Sequence, residues 1–280
     1  MRRQTVLQQT YTVISYLFLA LMVIITILPL GWILSTSFKG TAEIYADIPR
    51  WIPQYPTLEN YVDVFFHSSL SIGFLNSIII ALISSFLALF IGGSAGYAYA
   101  RFKFRGDKFM SIFTLTSQML PLTVLMIPLY YMENTMGLID TKFGVSIAHL
   151  VISLPLVTWM VKGYVDGVPR ELEEAAIIDG CSLFGAVARV VLPVVRPALA
   201  ATFIYAFISS WNEFTLANVL TRTVKSRTVP IVLNEFSSYV DVNWGSIMAA
   251  SAVIALPVIV VFMAVQRHFV SGLASGSIKG

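Results

Sequence analysis

The sequence predicts an all-α membrane protein with six transmembrane helices, on the evidence of its composition, the length of its uncharged stretches and the placing of its basic residues. Of 280 residues, 57% are apolar and 12% charged, and mean hydropathy is +0.79. A chain so poor in charge is built for lipid, which sets aside a water-soluble enzyme. The net charge of +3 is too small and too scattered for a nucleic-acid surface, which needs a concentrated basic face. A lone Cys181 forms no internal disulfide, and His67, His149 and His268 lack metal-ligand spacing. Neither a redox compartment nor a metal is signalled.

The bilayer core is about 30 Å thick, so a spanning helix takes roughly 20 apolar residues, and a charge at its centre costs about 2.5–3.5 kcal/mol. Six stretches qualify: residues 13–34, 72–97, 109–132, 143–161, 198–219 and 246–265. The first follows Arg2 and Arg3 like a signal peptide, but its apolar run is too long and no small-residue cleavage site follows, so a retained helix is expected. In the second, Gly92 and Gly96 form a GxxxG surface on which another helix, of this chain or of a second subunit, can approach closely. Pro29, Pro121, Pro128, Pro155 and Pro257 fall inside spans, where neighbouring helices must satisfy the freed carbonyls; such helices belong to bundles. Only the fifth span carries a formal charge, Glu213. The longest connections, about 35–71, 162–197 and 220–245, are too short for cores of their own, so residues 1–280 read as a single transmembrane domain. The first connection is turn-rich, leads into a short helix, and is expected on the membrane surface.

Orientation follows from Lys and Arg, which gather in cytoplasmic loops. With the N-terminus inside, the outer segments hold six of the 18 basic residues, Lys39, Arg50, Lys142, Arg222, Lys225 and Arg227, and the inner segments hold twelve. Both termini are therefore expected in the cytoplasm.

The inner connection 166–197 has the most specific pattern. Pro169 suits the first turn of a helix, and Glu171, Glu173 and Glu174 sit where the positive end of its dipole favours carboxylates. Leu172, Ala175, Ala176 and Ile178 share an apolar face. Gly180 fits the left-handed residue that ends a helix, and Ser182 can cap a second helix running toward Val191 and broken by Pro193. A short acidic elbow results. It could lie on lipid headgroups, but surface helices favour Lys and Arg, whereas Glu and small residues suit a groove on a protein partner. Gly180 and Gly185 have the glycine spacing of a phosphate loop, yet Ala186-Val187 stands where Lys and Ser or Thr are required, so no ATPase site is expected in this chain.

Glu174-Ala175-Ala176, Asp179-Gly180, Leu192-Pro193 and Pro197 resemble the EAA loop of permease subunits of binding-protein-dependent ABC importers. Asn60-Tyr61, Asn76-Ser77, Ala98-Tyr99-Ala100-Arg101, Trp211-Asn212-Glu213-Phe214 and the tail from Gly272 to Gly280 extend the resemblance to carbohydrate-type permeases, most similar in kind to the smaller membrane subunit of maltose importers. The resemblance implies a MetI-like, type I importer bundle in a prokaryotic cell membrane, forming half of a sugar pore. It also implies a second, non-identical permease, a cytoplasmic ATPase dimer that binds the ATP and Mg, and an extracytoplasmic solute-binding protein. The chain itself would hold no cofactor and catalyse nothing. The elbow would be the coupling helix, with Glu171, Glu174, Ala175, Ala176, Asp179 and Gly180 in contact with the ATPase; for each, the competing role is to hold the elbow's shape. The resemblance would have the tail reach toward the ATPase; a frayed end is the default alternative.

An intramembrane carboxylate usually faces a cavity or a partner, so Glu213, with Trp211 for stacking and Asn212 for hydrogen bonding, is a candidate for the substrate pathway; a structural hydrogen bond to a neighbouring helix competes with that role. Gln118, His149 and Asn76 are weaker candidates. A carrier or channel working without ATP would instead predict intramembrane charges arranged as an ion path, for which Glu213 alone is thin support. A noncatalytic assembly anchor would predict that pore-facing substitutions leave transport intact.

Overall fold

A computed structural model describes residues 2–237 and 242–276, with side chains described for 11–237 and 242–264. The tail's last four residues, and the side chains of Arg2, Arg3, Arg267 and His268, lie outside the described residues. The helices, in chain order, are α1 (Arg2–Ser37), α2 (Thr41–Ile44), α3 (Glu59–Phe66), α4 (Leu70–Arg101), α5 (Asp107–Thr116), α6 (Leu122–Thr135), α7 (Lys142–Ala148), α8 (Leu150–Asp166), α9 (Arg170–Ile178), α10 (Leu183–Ala186), α11 (Leu192–Trp211), α12 (Thr215–Leu220), α13 (Val229–Glu235) and α14 (Trp244–Gly276). Among the described residues no strand forms; one isolated bridge joins Ser237 and Val242. Among the described residues, four helical rods are long and apolar enough to cross a membrane, or six if the bent pairs α5 with α6 and α7 with α8 each make one span. The chain divides into two compact units, Met1–Ser68 with Glu235–Ala255, and Ser69–Asn234 with Leu256–Gly280.

In the first unit, none of the spanning window of α1 is buried among the described residues, which leaves its apolar side chains to lipid or to a partner. The last carbonyls of a helix have no intrahelical donor. Asn60 Nδ2 supplies one, donating to Ser37 O at 3.0 Å and to Lys39 O at 2.8 Å, while the Ser37 and Tyr61 hydroxyls meet at 2.8 Å. A Cβ at Gly245 would collide with the Asn60 carboxamide, which cannot swing away without giving up its two bonds to Ser37 O and Lys39 O, so a glycine is needed where α14 begins. Lys39 is buried with its Nζ 4.1 Å from the Trp32 ring centre and donating to Arg50 O at 2.6 Å. Burial holds its pKa below the ordinary lysine value, against the raising pull of the Glu43 carboxylate.

In the second unit, α4 packs on α8 and α11 along a seam of small residues that includes Ser77, Ala81, Ser84, Ser85, Ala88, Gly92 and Gly96. A Cβ on Gly96 would come within 2.6 Å of Thr158 O, and one on Gly92 within 2.9 Å of Val157 Cγ1. The GxxxG surface is thus occupied by α8, whose backbone approaches as only glycine allows. The loop after α12 is pinned by Asp140, whose carboxylate accepts from Arg222 N–H at 2.8 Å, Thr223 N–H at 3.0 Å, the Thr223 hydroxyl at 2.8 Å and the Ser226 hydroxyl. Burial works to raise the Asp140 pKa, but these hydrogen bonds outweigh it and hold the carboxyl below the usual range. Asn76 Nδ2 donates to Val224 O at 3.1 Å and Arg227 O at 2.9 Å, and Gln118 Nε2 to Ile152 O at 3.2 Å. Both amides make bonds between elements.

Four elements differ from the sequence expectation, the mildest being the stretch 143–161, which bends by 48° at His149 between α7 and α8. The stretch 109–132 is not one straight rod: after a 3₁₀ turn, Ser117–Met119, the axis bends by 102°. Pro121 lacks an N–H and forces Leu120 into an extended conformation, φ −68° and ψ 127°, so it opens α6 rather than lying inside a span. Pro193 does not break a helix. It sits in the first turn of α11 behind a π turn at Val187–Val191, where its missing N–H costs little, and the rod runs unbroken from Leu183 to Trp211. The stretch 198–219 therefore belongs to a longer helix that starts in the elbow and stops short, at Trp211.

Candidate functional site

The elbow is α9, a tight turn, and α10. Its shape is set locally by a left-handed cap at Gly180, φ +90°, with Gly180 N–H donating to Ile177 O at 3.0 Å and Cys181 N–H to Ala176 O at 2.9 Å. Those paired bonds satisfy the orphan carbonyls and reverse the chain, which only glycine enters without strain. The Ser182 hydroxyl accepts from Gly185 N–H at 3.2 Å and starts α10. Gly180 thus has a structural task whatever it also touches.

A buried ion pair anchors this elbow to the end of α4. Glu173 accepts from Arg101 Nε and, at 2.8 Å, from the Tyr97 hydroxyl, with the paired side chains 7% and 8% exposed. Arg101 Nη2 also reaches Val168 O at 2.9 Å, and Arg170 Nη2 returns to Ala100 O at 2.9 Å. Both cations therefore bridge α4 and the root of α9. Sequence reasoning assigned Glu173 only a favourable dipole position. The signal available was Arg101, a cation at the inner exit of an apolar span with no sequence neighbour to neutralise it.

The predicted contact residues lie on the opposite side. Glu171, Glu174, Ala175, Asp179 and Gly180 are exposed, and Ala176 is half-buried. Of the face shared by Leu172, Ala175, Ala176 and Ile178, only Ala176 is partly covered: Ile178 is 85% exposed and Leu172 45%, and α10 adds Phe184 at 82%. Large apolar side chains bared beside carboxylates make a surface suited to a groove with an apolar floor and a basic rim.

The second candidate region is the gap between α11 and α12. Glu213 is 7% exposed and accepts from Leu216 N–H at 2.8 Å and Ala217 N–H at 3.0 Å, so its carboxylate caps α12. Its Oε2 lies 3.2 Å from His149 Nε2, and His149 Nδ1 is 2.6 Å from Ser210 Oγ. His149 stands at the bend between α7 and α8, so one buried cluster joins two helix breaks. Trp211 is 1% exposed, stacked against Phe207 and edge-on to Phe74; Asn212 is exposed. Trp211, Asn212 and Glu213 are adjacent but do not converge on one cavity. Among the described residues no group of three His, Cys, Asp or Glu gathers as metal ligands would.

Comparison with known proteins agrees with this architecture. The family model for binding-protein-dependent transport system inner membrane components matches residues 88–275. The trehalose transport system permease protein of Mycobacterium tuberculosis is 35% identical over 91% of this chain and 93% of its own. The diacetylchitobiose uptake system permease protein of Streptomyces coelicolor is 32% identical over 91% and 92%. Among solved structures, a chain of a bacterial ABC transporter involved in the import of the acidic polysaccharide alginate superposes with a TM-score of 0.80 at 21% identity, over 93% of this chain and 97% of that one. At that identity the likeness is one of fold.

Proposed function

The chain belongs to the family of binding-protein-dependent transport system inner membrane components, and from that premise we propose that it is one of two non-identical permease subunits of an ATP-driven sugar importer. It would span a prokaryotic cell membrane six times with both termini in the cytoplasm, in accord with the twelve-to-six partition of basic residues. Cargo of the carbohydrate class is supported by relatives named for trehalose and diacetylchitobiose uptake. An extracytoplasmic binding protein would deliver the cargo, and a cytoplasmic ATPase dimer would bind and hydrolyse the ATP with its Mg. This chain supplies the path and the lever.

The observation that carries the reading is the elbow's polarity. Its inner side is clamped to α4 by the buried Glu173–Arg101 pair, while Ile178, Phe184 and the carboxylates of Glu171 and Glu174 are left bare. An ATPase cleft would seat Glu171, Glu174, Ala175, Ala176, Asp179 and Gly180. ATP can bias the pore only if the seated elbow favours one ATPase arrangement over another. A displacement of α9 would then pass to α4 through the clamp and to α11 through the π turn. Of the pathway candidates, Asn212 offers an exposed side chain, and Trp211 and Glu213 hold the break that presents it.

The test is co-purification and uptake with Glu174→Arg. Reversing an exposed charge should leave the chain inserted but abolish ATPase attachment and ATP-dependent sugar uptake. Uptake by vesicles that lack the ATPase would assign the chain to carriers or channels instead.

A further inference from the structure

We propose that a cleft between the end of α4, α5 and the end of α8 binds the phosphate group of an anionic phospholipid. The cleft is about 350 Å³ and lies wholly within the second unit. Its walls include Lys103, Lys108, Lys162 and Arg170, with the rings of Tyr99 and Trp159. Asp107 is the one carboxylate in the lining, and it is occupied in part by the N–H of Lys108 at 2.6 Å. Lys162 pairs with Asp166 at 2.6 Å and Arg170 with Ala100 O at 2.9 Å. Lys103 and Lys108 are exposed and form no ion pair with a described carboxylate. With Lys162 answered by Asp166, the three cations Lys103, Lys108 and Arg170 stand against the one carboxylate of Asp107, and that excess selects an anion with several acceptor oxygens, as a phosphodiester has.

The neighbouring surface says that the anion carries hydrocarbon. Ile112, in the lining of the cleft, is 58% exposed, and next to it α5 bares Phe109 at 72% and Phe113 at 63%, the two phenyl rings stacked at 6.1 Å. Such a strip beside a basic pocket matches an amphiphile whose head is anionic and whose tails lie along the helix. Trp159 Nε1 donates to Ser111 O at 3.0 Å, which fixes one wall as an interfacial aromatic would. Because Arg170 opens α9 and Lys162 stands in the last turns of α8, a bound headgroup would brace the root of the elbow.

Native mass spectrometry of the full chain in detergent, titrated with phosphatidylglycerol, phosphatidylcholine or glycerol 3-phosphate, tests this without the ATPase and irrespective of orientation. Phosphatidylglycerol should bind more tightly than phosphatidylcholine. The double variant Lys103→Gln/Lys108→Gln should weaken it roughly 30-fold, two basic contacts' worth. The outer-loop double variant Lys142→Gln/Lys225→Gln should leave it unchanged. Equal binding of the two lipids, or an unaffected Lys103→Gln/Lys108→Gln protein, overturns the proposal. Displacement by glycerol 3-phosphate at an affinity equal to the lipid's would reassign the cleft to soluble phosphate esters and overturn the lipid assignment. A circular dichroism spectrum matching the parent's confirms that the variants fold.

Discussion

Glu173 and Glu213 are both nearly inaccessible to solvent, yet they are buried in opposite ways. Glu213 lies in a cluster closed on itself: two N–H groups of the next helix, a histidine and, through that histidine, a serine. Glu173 is held across the chain by Arg101 and Tyr97, 72 and 76 residues away, and its neighbours Leu172 and Glu174 face outward. The first arrangement fixes a break in a helix; the second attaches a movable part to a rod while leaving its other face open. Burial of a carboxylate therefore marks two different tasks, told apart by whether it also accepts from the first N–H groups of the helix that follows it, as Glu213 does, or only from side chains of another helix, as Glu173 does.

The strongest way to break that contrast is Glu173→Ala. Removing one member of a buried pair strands Arg101, and the loss should be about 3–5 kcal/mol in denaturant unfolding of the solubilised protein. Exchanging the charges as Glu173→Arg with Arg101→Glu should recover part of it, which simple loss of packing would not. Glu213→Ala should cost about 2–4 kcal/mol, since two helix-opening N–H groups lose their acceptor and His149 loses its neighbour. Its signature should be faster hydrogen exchange at Leu216 and Ala217, with elbow protection unchanged. Gly180→Ala should cost about 1–2 kcal/mol, because φ +90° is strained for any side chain although nothing crowds the site. Here the altered exchange should be confined to residues 176–186. Were Gly180→Ala to spread its effect to α12, the two regions would not be separate.

Much of this was open to reading along the chain. The cap at Gly180, the Ser182 start and the acidic first turn depend on residues within four positions of one another, so their chemistry is written in order. The GxxxG motif likewise announces a close approach, though not that α8 makes it. Glu213 shows where local reading stopped halfway: Phe214, Thr215, Leu216 and Ala217 follow at the spacing of a helix start, but an apolar run invites a continuous rod. Hydropathy averages over a window and is blind to an interruption of two or three residues. The break at Leu120–Pro121 was hidden in the same manner, beneath apolar side chains on both sides.

By itself the sequence determined how much of the chain is apolar enough for a membrane and where the elbow turns, because hydrocarbon thickness and backbone caps act on consecutive residues. Only the tertiary structure decided which carboxylate of the elbow faces inward, that Arg101 is its counter-charge, and that the helix from the elbow ends at Trp211. Those outcomes depend on what stands opposite a residue in space, and an ion pair spanning 72 positions leaves no periodicity to read.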